Sequence, residues 1–588
     1  MTHLTQRALS LAGGLLLALI GGLPSATQAA PPTQAAGVQL PAGFSLSVYA
    51  TGLQDARFLT YSPAGDLYVG QLLGSNSAIT ILPDRNHDGQ ADRAIRVATD
   101  LNSPNNVSFR PTGFGTVFAV GAFDRVRIYT DTRGDLSFTD SATLVSGLSN
   151  VTSGRHKTKT VSYGPDGRLY LSKGSANDDP PTAESIVGVW RYNADGSDGQ
   201  KIAANLRNSV GLAWDAVGGG FWGADNGSDD LGANLPHDEL NLLSGGGDYG
   251  WPYCYDKGIH SPNAAAYDCS KTRNPSVLLG PHAGALGMAF YTGGSFPARY
   301  WGGLFVAYHS VQYPAQRGIW FVPFSNGQPS GPPALFLQRT AGGKTNRFLG
   351  VAVNPYDGSL MVSDDAEGTI YQVRYTGPPP TPAPAVAAPP AVAGKPAQQP
   401  AADLPGAVRR FPETGYTLAG PFLQYWFWNG GLARFGYPIS PPLTERLADG
   451  QSYTVQYTQR ARLEYHPANR GGAYAVLLGR LGADLVTGRS EAPFQAATAA
   501  PGATFVAATG HNLSGPIGAY WAQNGGLPVF GYPLSEAFME RSTTDGQTYQ
   551  VQYFERARLE YHPEHAGTAD AIQLGLLGVQ AQQTRYGR

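Results

Sequence analysis

Cysteine is almost missing from this sequence. Only Cys254 and Cys269 occur in 588 residues, which excludes a Cys-rich metal cluster, and no Cys-x-x-Cys-His run is present to attach a haem. Charge is scarce too. Charged residues make up 14% and the formal net charge is -2, so there is no electrostatic footprint for nucleic acid or for an anionic membrane. Long apolar runs are confined to Ala8 to Leu23, and no later stretch could span a bilayer.

That one run reads as a targeting signal. Arg7 precedes it and the small residues Ser25-Ala26-Thr27-Gln28-Ala29-Ala30 follow it, so residues 1–30 are expected to be a cleaved signal peptide and the protein to be secreted. A membrane anchor is the alternative. In an exported protein two cysteines fifteen positions apart read as one disulfide, closing a local loop worth about 3 kcal/mol. A zinc site would need more ligands than His260 supplies.

What the chain does have is glycine and proline, 76 and 45 of them, and therefore many turns and short strands. Hydrophobic residues reach 42%, a packed globular composition, and the length calls for several domains. Across residues 38–375 a turn followed by an aromatic-rich strand recurs six times: at Gly65-Asp66-Leu67-Tyr68, Gly115-Thr116-Val117-Phe118, Gly167-Arg168-Leu169-Tyr170, Gly219-Gly220-Phe221-Trp222, Gly303-Leu304-Phe305 and Gly358-Ser359-Leu360-Met361. The aromatic position (Met in the last copy) steps by 50, 52, 52, 83 and 56 residues. A period near 50 predicts an all-β fold, a six-bladed β-propeller, with an irregular β-sandwich as the alternative. The long fourth step holds an insertion of about thirty residues that includes both cysteines. Loops that break a repeat's period commonly line the functional face.

Residues 376–407 are dominated by Pro and Ala. Nothing in them could build a core, and they are expected to form an extended, semi-rigid spacer. Behind them two small tandem repeat domains are expected, at 408–484 and 503–580. Phe435-Gly436-Tyr437-Pro438 recurs as Phe530-Gly531-Tyr532-Pro533, and Arg460-Ala461-Arg462-Leu463-Glu464-Tyr465-His466-Pro467 as Arg556-Ala557-Arg558-Leu559-Glu560-Tyr561-His562-Pro563. These units resemble the Gly-Tyr-Pro repeats of bacterial exported and cell-wall proteins, which implies a carbohydrate or cell-wall ligand. The alternative is that the aromatics are core and Arg-Ala-Arg-Leu-Glu-Tyr is a strand with an internal ion pair.

Four constellations carry the candidate chemistry. Gly154-Arg155-His156-Lys157-Thr158-Lys159 puts a histidine in a basic loop just before a strand. Neighbouring cations there would keep it neutral, as a base must be; a solvated loop residue is the bland alternative. Leu206-Arg207-Asn208-Ser209 sets a guanidinium fork beside an amide, which suits carboxylates and carbonyls of a ligand or an ion pair between blades. Asp225-Asn226-Gly227, Asp238-Glu239-Leu240-Asn241 and Gly247-Asp248-Tyr249-Gly250-Trp251-Pro252 offer carboxylates and backbone carbonyls for a hard cation such as calcium. His282, in Pro281-His282-Ala283-Gly284-Ala285, is a second histidine in a small-residue setting.

Together these runs, with Gly174-Ser175-Ala176-Asn177-Asp178, resemble the glucose/sorbosone dehydrogenase family, and within it the sorbosone-dehydrogenase-like branch. The resemblance spans about Leu40 to Tyr375. It implies a sugar or polyol dehydrogenase using pyrroloquinoline quinone (PQQ) and calcium, with electrons leaving to an external acceptor. His156 matches the general base, and Arg207 and Asn208 match residues that hold the cofactor. Arg155, Lys159, His282, Lys344 and Arg347 are further cofactor candidates. Asn226 and Gly227, with Asp225, fall where the family holds calcium. Where the branch carries His-Gly-Ser-Trp-Asn-Arg, this chain has His309-Ser310-Val311-Gln312-Tyr313-Pro314, so the substrate side of the site is not carried over.

A separate calcium candidate is the loop from Asp84 to Asp92, with Asp84, Asn86, Asp88 and Asp92 at positions 1, 3, 5 and 9 and Gly89 at position 6. No Glu closes it at position 12 as in an EF-hand, and a plain Asp/Asn turn is the alternative. Two other functions compete with the dehydrogenase: a metal-dependent lactonase-type hydrolase, and a non-catalytic binding propeller.

Overall fold

The computed structural model describes residues 37–587, apart from 73–76, 112–115, 132, 150–155, 181, 263, 265, 340–346, 382–384, 386–389 and 543–545. The expected signal peptide, Arg155 and Lys344 lie outside the described residues. No described helix is long and apolar enough to cross a membrane.

Residues 38–375 form six successive, mainly antiparallel sheets. The first runs Ala56–Tyr61, Leu67–Gln71, Ala78–Leu82, Ile95–Val97 in that order, and the next five open with Val107–Phe109, Lys159–Tyr163, Ser209–Trp214, Ala285–Phe290 and Phe348–Val353. Two sheets are completed from the N-terminus. Phe44–Ala50 pairs antiparallel with Thr369–Tyr375 as the fourth strand of the sixth sheet, and Val38–Gln39 adds to Ala334–Arg339 of the fifth. The third sheet gains Gly247–Asp248, parallel to Gln200–Ala204, from the insertion of the fourth.

Every copy of the repeated motif is the second strand of its sheet. Leu67–Gln71, Leu169–Lys173, Phe221–Asp225, Leu304–Tyr308 and Leu360–Asp364 are buried at every position. A strand covered on both faces needs an almost continuous apolar run, which is why the motif stood out. Its aromatic ring fills the gap between layers. Tyr68 meets Phe109 and Phe118 of the next sheet edge-on, and Phe305 shares a core with Phe348, Val351 and Leu360 of the sheet after its own. Each such ring contributes about 1.5–3 kcal/mol by burial.

The first strands pack on one another in sequence, and Phe348–Val353 packs back on Ala56–Tyr61. Three glycines permit this approach. A Cβ at Gly211 would run into Leu286 O, one at Gly287 into Leu349 O and one at Gly350 into Arg57 O, each on the following first strand. Thr160 Oγ1 donates across the same kind of junction to Val210 O at 2.7 Å.

The C-terminal part adds helices to this β architecture. Each repeat carries a hairpin, two short helices, a four-stranded antiparallel sheet and a final helix. In the first these include Gly420–Trp428, the sheet from Leu443–Arg446 to Val476–Leu478, and Leu481–Val486; in the second, Gly515–Gln523, the sheet from Phe538–Arg541 to Ile572–Leu574, and Leu577–Tyr586. The final helices are exchanged. Ala483 N donates to Glu555 O of the second repeat, and Val579 N to Gln459 O of the first. Arg489 pairs with Glu540, and reciprocally Arg585 with Glu445. Aromatics of the first repeat serve packing: Phe411, Phe422, Trp426, Phe427 and Phe435 share one core, and of these Trp426 and Phe435 recur as Trp521 and Phe530. Arg462–Glu464 and Arg558–Glu560 are the internal ion pairs of the repeated strand.

From Gln399 onward the segment expected to be a spacer is docked. Gln399 O accepts from Thr444 N and Ala401 N donates to Pro442 O. Leu404 and Ala407 join the core of the first repeat, together with Trp214, Ala216 and Val217 of the fourth sheet. Extended backbone suits an edge pairing, and these two apolar side chains suffice to seal it. The contact falls on turns linking first to second strands, at the end of the sheets away from the site described next.

Candidate active site

The chemistry-bearing loops converge because antiparallel strands return to the same end. Residues that precede a first strand (His156, Arg207, Asn208, His282, Arg347) and residues that end or follow a second strand (Asp178, Asp225, Asn226, His309, Asp365) share that end of their sheets.

His156 is half-buried in the left-handed region, φ 48°. Its Nδ1 lies 2.7 Å from Ser175 O. A carbonyl only accepts, so Nδ1 carries the proton and Nε2 keeps its lone pair. Burial, reinforced by the Arg207 charge, depresses the imidazole to about 4. It is neutral at ordinary pH, with one nitrogen able to accept a proton.

Arg207 is buried and held by acids. Its Nη2 pairs with Asp178 and, at 3.2 Å, with Asp229, while Nη1 donates to Asn226 O at 3.2 Å. Burial opposes ionisation of Asp178, but Arg207 more than offsets it and holds the carboxyl below the usual range. Asp225 takes bonds from the backbone N of Arg207 and Asn208, both 2.9 Å, and from Ser209 Oγ at 2.7 Å. Asn208 Nδ2 reaches Asn226 Oδ1 at 3.4 Å. Asn226 Nδ2 donates to Ala285 O at 2.8 Å and to Asp238, whose carboxyl burial raises to about 6. Beside Arg207 a small cavity is lined by Asp225, His237, Glu239, Tyr249 and Trp251, among others. The insertion that walls it is closed by the bond between Cys254 and Cys269, Cα–Cα 5.8 Å.

A second polar cluster joins the fifth and sixth sheets. Asp365 accepts from His309 Nε2 at 3.0 Å and from Arg347 at 2.9 and 3.1 Å. Against the opposing effect of burial, these donors hold Asp365 far below the usual carboxylate range. Burial lowers Arg57 and Arg317, and the charge of Arg347 lowers both further.

Not every expected site residue points into this end. Lys159 is fully buried and its ammonium turns back under the loop, 3.4 Å from the carbonyls of His156 and Lys157 and over the Phe123 ring; burial lowers it to about 8. His282 Nε2 donates to Gly232 O at 2.7 Å and its ring stacks on Tyr313. The Asp84–Asp92 loop lies away from the site, between Ala78–Leu82 and Ile95–Val97. Some of its oxygens serve backbone amides: Asp84 accepts from Gly89, Asn86 from Asp88, Asp88 from Gln90 and Asp92 from Arg85, while Asp84 Oδ1 is buried with no hydrogen-bond partner among the described residues. Among the described residues no group of three or more His, Cys, Asp or Glu side chains could hold a metal ion.

Sequence reasoning missed Arg57, Arg317, Asp229, Asp365 and Glu184. Arg57 had a usable signal: it stands eleven residues ahead of Tyr68, as Lys159 stands ahead of Tyr170. The others sit in loops whose length follows no period.

Residues 31–312 match a family model described as a domain of unknown function, DUF7133. A Borreliella burgdorferi protein called uncharacterized is 23% identical over 373 residues, 58% of this chain and 91% of that protein. A Hypocrea jecorina protein named a pyrroloquinoline quinone-dependent sugar dehydrogenase is 26% identical over 348 residues, covering 49% of this chain and 76% of that one. Among solved structures, a Trichoderma reesei protein of carbohydrate-active enzyme family AA12 is 22% identical over 59% of this chain and 98% of its own, TM-score 0.47. The PQQ domain of a Coprinopsis cinerea pyranose dehydrogenase is 20% identical over 58% and 98%, TM-score 0.47.

Proposed function

We propose that this chain is an exported oxidoreductase of the PQQ-dependent sugar dehydrogenase kind. In this reading the six sheets of residues 38–375 are the blades of a β-propeller, closed by Phe44–Ala50 on the last sheet. Residues 376–407 lead to the repeats at 408–484 and 503–580, which sit at the far end and leave the site end clear of them. One observation carries the reading: His156 is neutral, and its only proton is tied to Ser175 O while Nε2 stays an acceptor beside Arg207 and Asn208.

The donor set suits a quinone bearing several carboxylates. Arg207 Nε is a buried donor with no hydrogen-bond partner among the described residues. Arg57, Arg317 and Arg347 bring three positive charges near one another against Asp55 and Asp365. Arg207, Asn208, Arg57 and Arg347 would hold the cofactor. For calcium the fit is narrower, since the Asp225 carboxylate and the Asn226 carbonyl already accept bonds; the Gly227 carbonyl is the oxygen left for it in the expected trio. When bound, the quinone supplies the two-electron acceptor and calcium the Lewis acid beside it.

The chain's own contribution is a proton path. His156 Nε2 takes the proton of a sugar or polyol hydroxyl. Arg207 and Asn208 orient the oxygen, and the carboxylates of Asp178 and Asp229, held by Arg207, stabilise the imidazolium that forms. Positioned general-base catalysis is worth roughly 10²–10⁴-fold. A lactonase-type reaction would need carboxylates converging on a metal, whereas Asp225 and Asp238 are turned to backbone amides.

The test is reconstitution of the full chain with PQQ and calcium, followed by dye reduction with a panel of sugars. Sugar-dependent reduction that collapses in His156→Ala is the expected result. The absence of bound quinone together with no dye reduction by any sugar would overturn the reading.

A further inference from the structure

The histidine is only as well placed as the carbonyl that holds it, and that carbonyl belongs to a loop. Ser175 is fully buried and its N donates to Arg207 O at 2.9 Å. Gly174 leaves no room for a side chain, since a Cβ there would stand 2.8 Å from His156 Cβ and 2.6 Å from Asn208 Oδ1. The turn that follows is folded around one carboxylate. Glu184 lies within hydrogen-bond reach of Ser175 Oγ at 2.7 Å, Ala176 N at 3.1 Å, and Asn177 through N at 3.3 Å and Nδ2 at 3.1 Å. The neighbouring Ala183 N donates to Tyr253 OH at 3.0 Å, and Trp251 Nε1 to Asp178 O at 3.2 Å. The disulfide-closed insertion therefore braces the same loop from outside.

We propose that Glu184 is the positioning residue for His156: by clamping Ser175–Asn177 it fixes the carbonyl that selects the Nδ1–H tautomer and aims Nε2 into the site. Glu184 touches neither the imidazole nor any substrate position, and works through Ser175. A charge-assisted clamp of several bonds, one of them short, is stiffer than the turn alone, and second-layer partners of this kind set the tautomer and orientation of a functional histidine. The groups facing His156 are Arg207, Asp178 and Asp229, with Lys157 and Lys159 on its own loop; none of them bonds Nδ1 in place of Ser175.

The proposal rests on His156 being the base, yet its test does not require activity. The full chain is labelled with ¹⁵N-histidine, and the His156 ring signals are assigned by their loss in His156→Gln and followed with pH. In the parent protein Nδ1 is protonated, Nε2 is not, and the ring stays neutral to about pH 4. Glu184→Ala is expected to mix the tautomers and, because the Ser175 carbonyl bond raises the imidazole, to push the titration further below the ordinary range, with Glu184→Gln, which keeps one acceptor for Ser175 Oγ, in between. In the reconstituted enzyme the same order should appear as a fall in kcat of about ten- to a hundredfold for Ala, partly rescued by Gln, with KM little changed. Unchanged His156 signals in folded Glu184→Ala overturn the proposal; if that variant does not fold, unchanged signals in Glu184→Gln and Ser175→Ala do so. A parent protein that never reduces dye sinks the dehydrogenase reading and leaves the ring signals to decide this one.

Discussion

His156 and His309 stand at the same end of the sheets, and burial pushes both imidazoles below their ordinary range. They differ in what holds them. His156 gives its Nδ1 proton to a backbone carbonyl, while His309 Nε2 is taken by a carboxylate shared with Arg347. Both acceptors favour the protonated ring, and in each neutral ring the other nitrogen keeps its lone pair. What separates the two is the company they keep. His156 lies beside Arg207 and Asn208, whereas His309 is tied through Asp365 to Arg347 in a clamp between two sheets.

The largest expected effect separates the two directly. His156→Ala should lower turnover of the reconstituted enzyme by roughly 10²–10⁴-fold, with cofactor affinity little changed. His309→Ala should cost less than tenfold in turnover and show mainly as lower stability. Equal losses of turnover in both would erase the distinction. Next comes the brace. The His156 side is backed by the disulfide-closed insertion, through Trp251 and Tyr253. Replacing Cys254 and Cys269 by Ser should cost about 3 kcal/mol in denaturant unfolding and lower kcat; a fully stable, fully active double variant would show that the brace is idle. Smaller again is the carboxylate of the clamp. Asp365→Asn keeps the shape and removes the charge, and should cost about 2 kcal/mol. Burial opposes ionisation of Asp365, but His309 and Arg347 hold its carboxyl below the unfolded value. Its contribution is therefore present above the ordinary carboxylate range and lost as pH falls below it. The variant's stability deficit should shrink in strong acid, and a deficit independent of pH would count against the pairing.

How much of this was legible beforehand depends on periodicity. The second strands are buried on both faces, so Tyr68, Phe118, Tyr170, Trp222, Phe305 and Met361 recur at a spacing near 50 residues, broken only by the insertion in the fourth step, and declare the sheets. His156, Arg207 and Asn208 were legible because they enter first strands at that phase. Lys159 marks the reach of that logic: the phase places its backbone at the site end, but sequence does not say that the ammonium folds back under its own loop. Asp365 and Glu184 were illegible because long-range partners define them. Neither the exchange of final helices nor the docking of Leu404 and Ala407 leaves a sequence period, since each depends on which surface happens to lie opposite.

The finest test of the comparison is the acid limb of activity. An unfolded imidazole titrates near 6.5, and folded His156 at about 4. Between those values the unfolded chain binds a proton that the folded chain refuses. The His156 contribution to stability is therefore full above about pH 6.5 and lost as pH falls toward 4. For the same reason kcat/KM should hold to about pH 4 rather than falling near 6.5. Burial is the larger cause of the shift and the Arg207 charge the second, so Arg207→Gln should move the limb upward only part of the way, whatever it does to the rate. His309→Ala should leave the limb where it was, because the clamp is not the group that titrates in turnover. A limb near 6.5 in the parent enzyme, or one that follows His309, would mean that the carbonyl-held histidine is not the base.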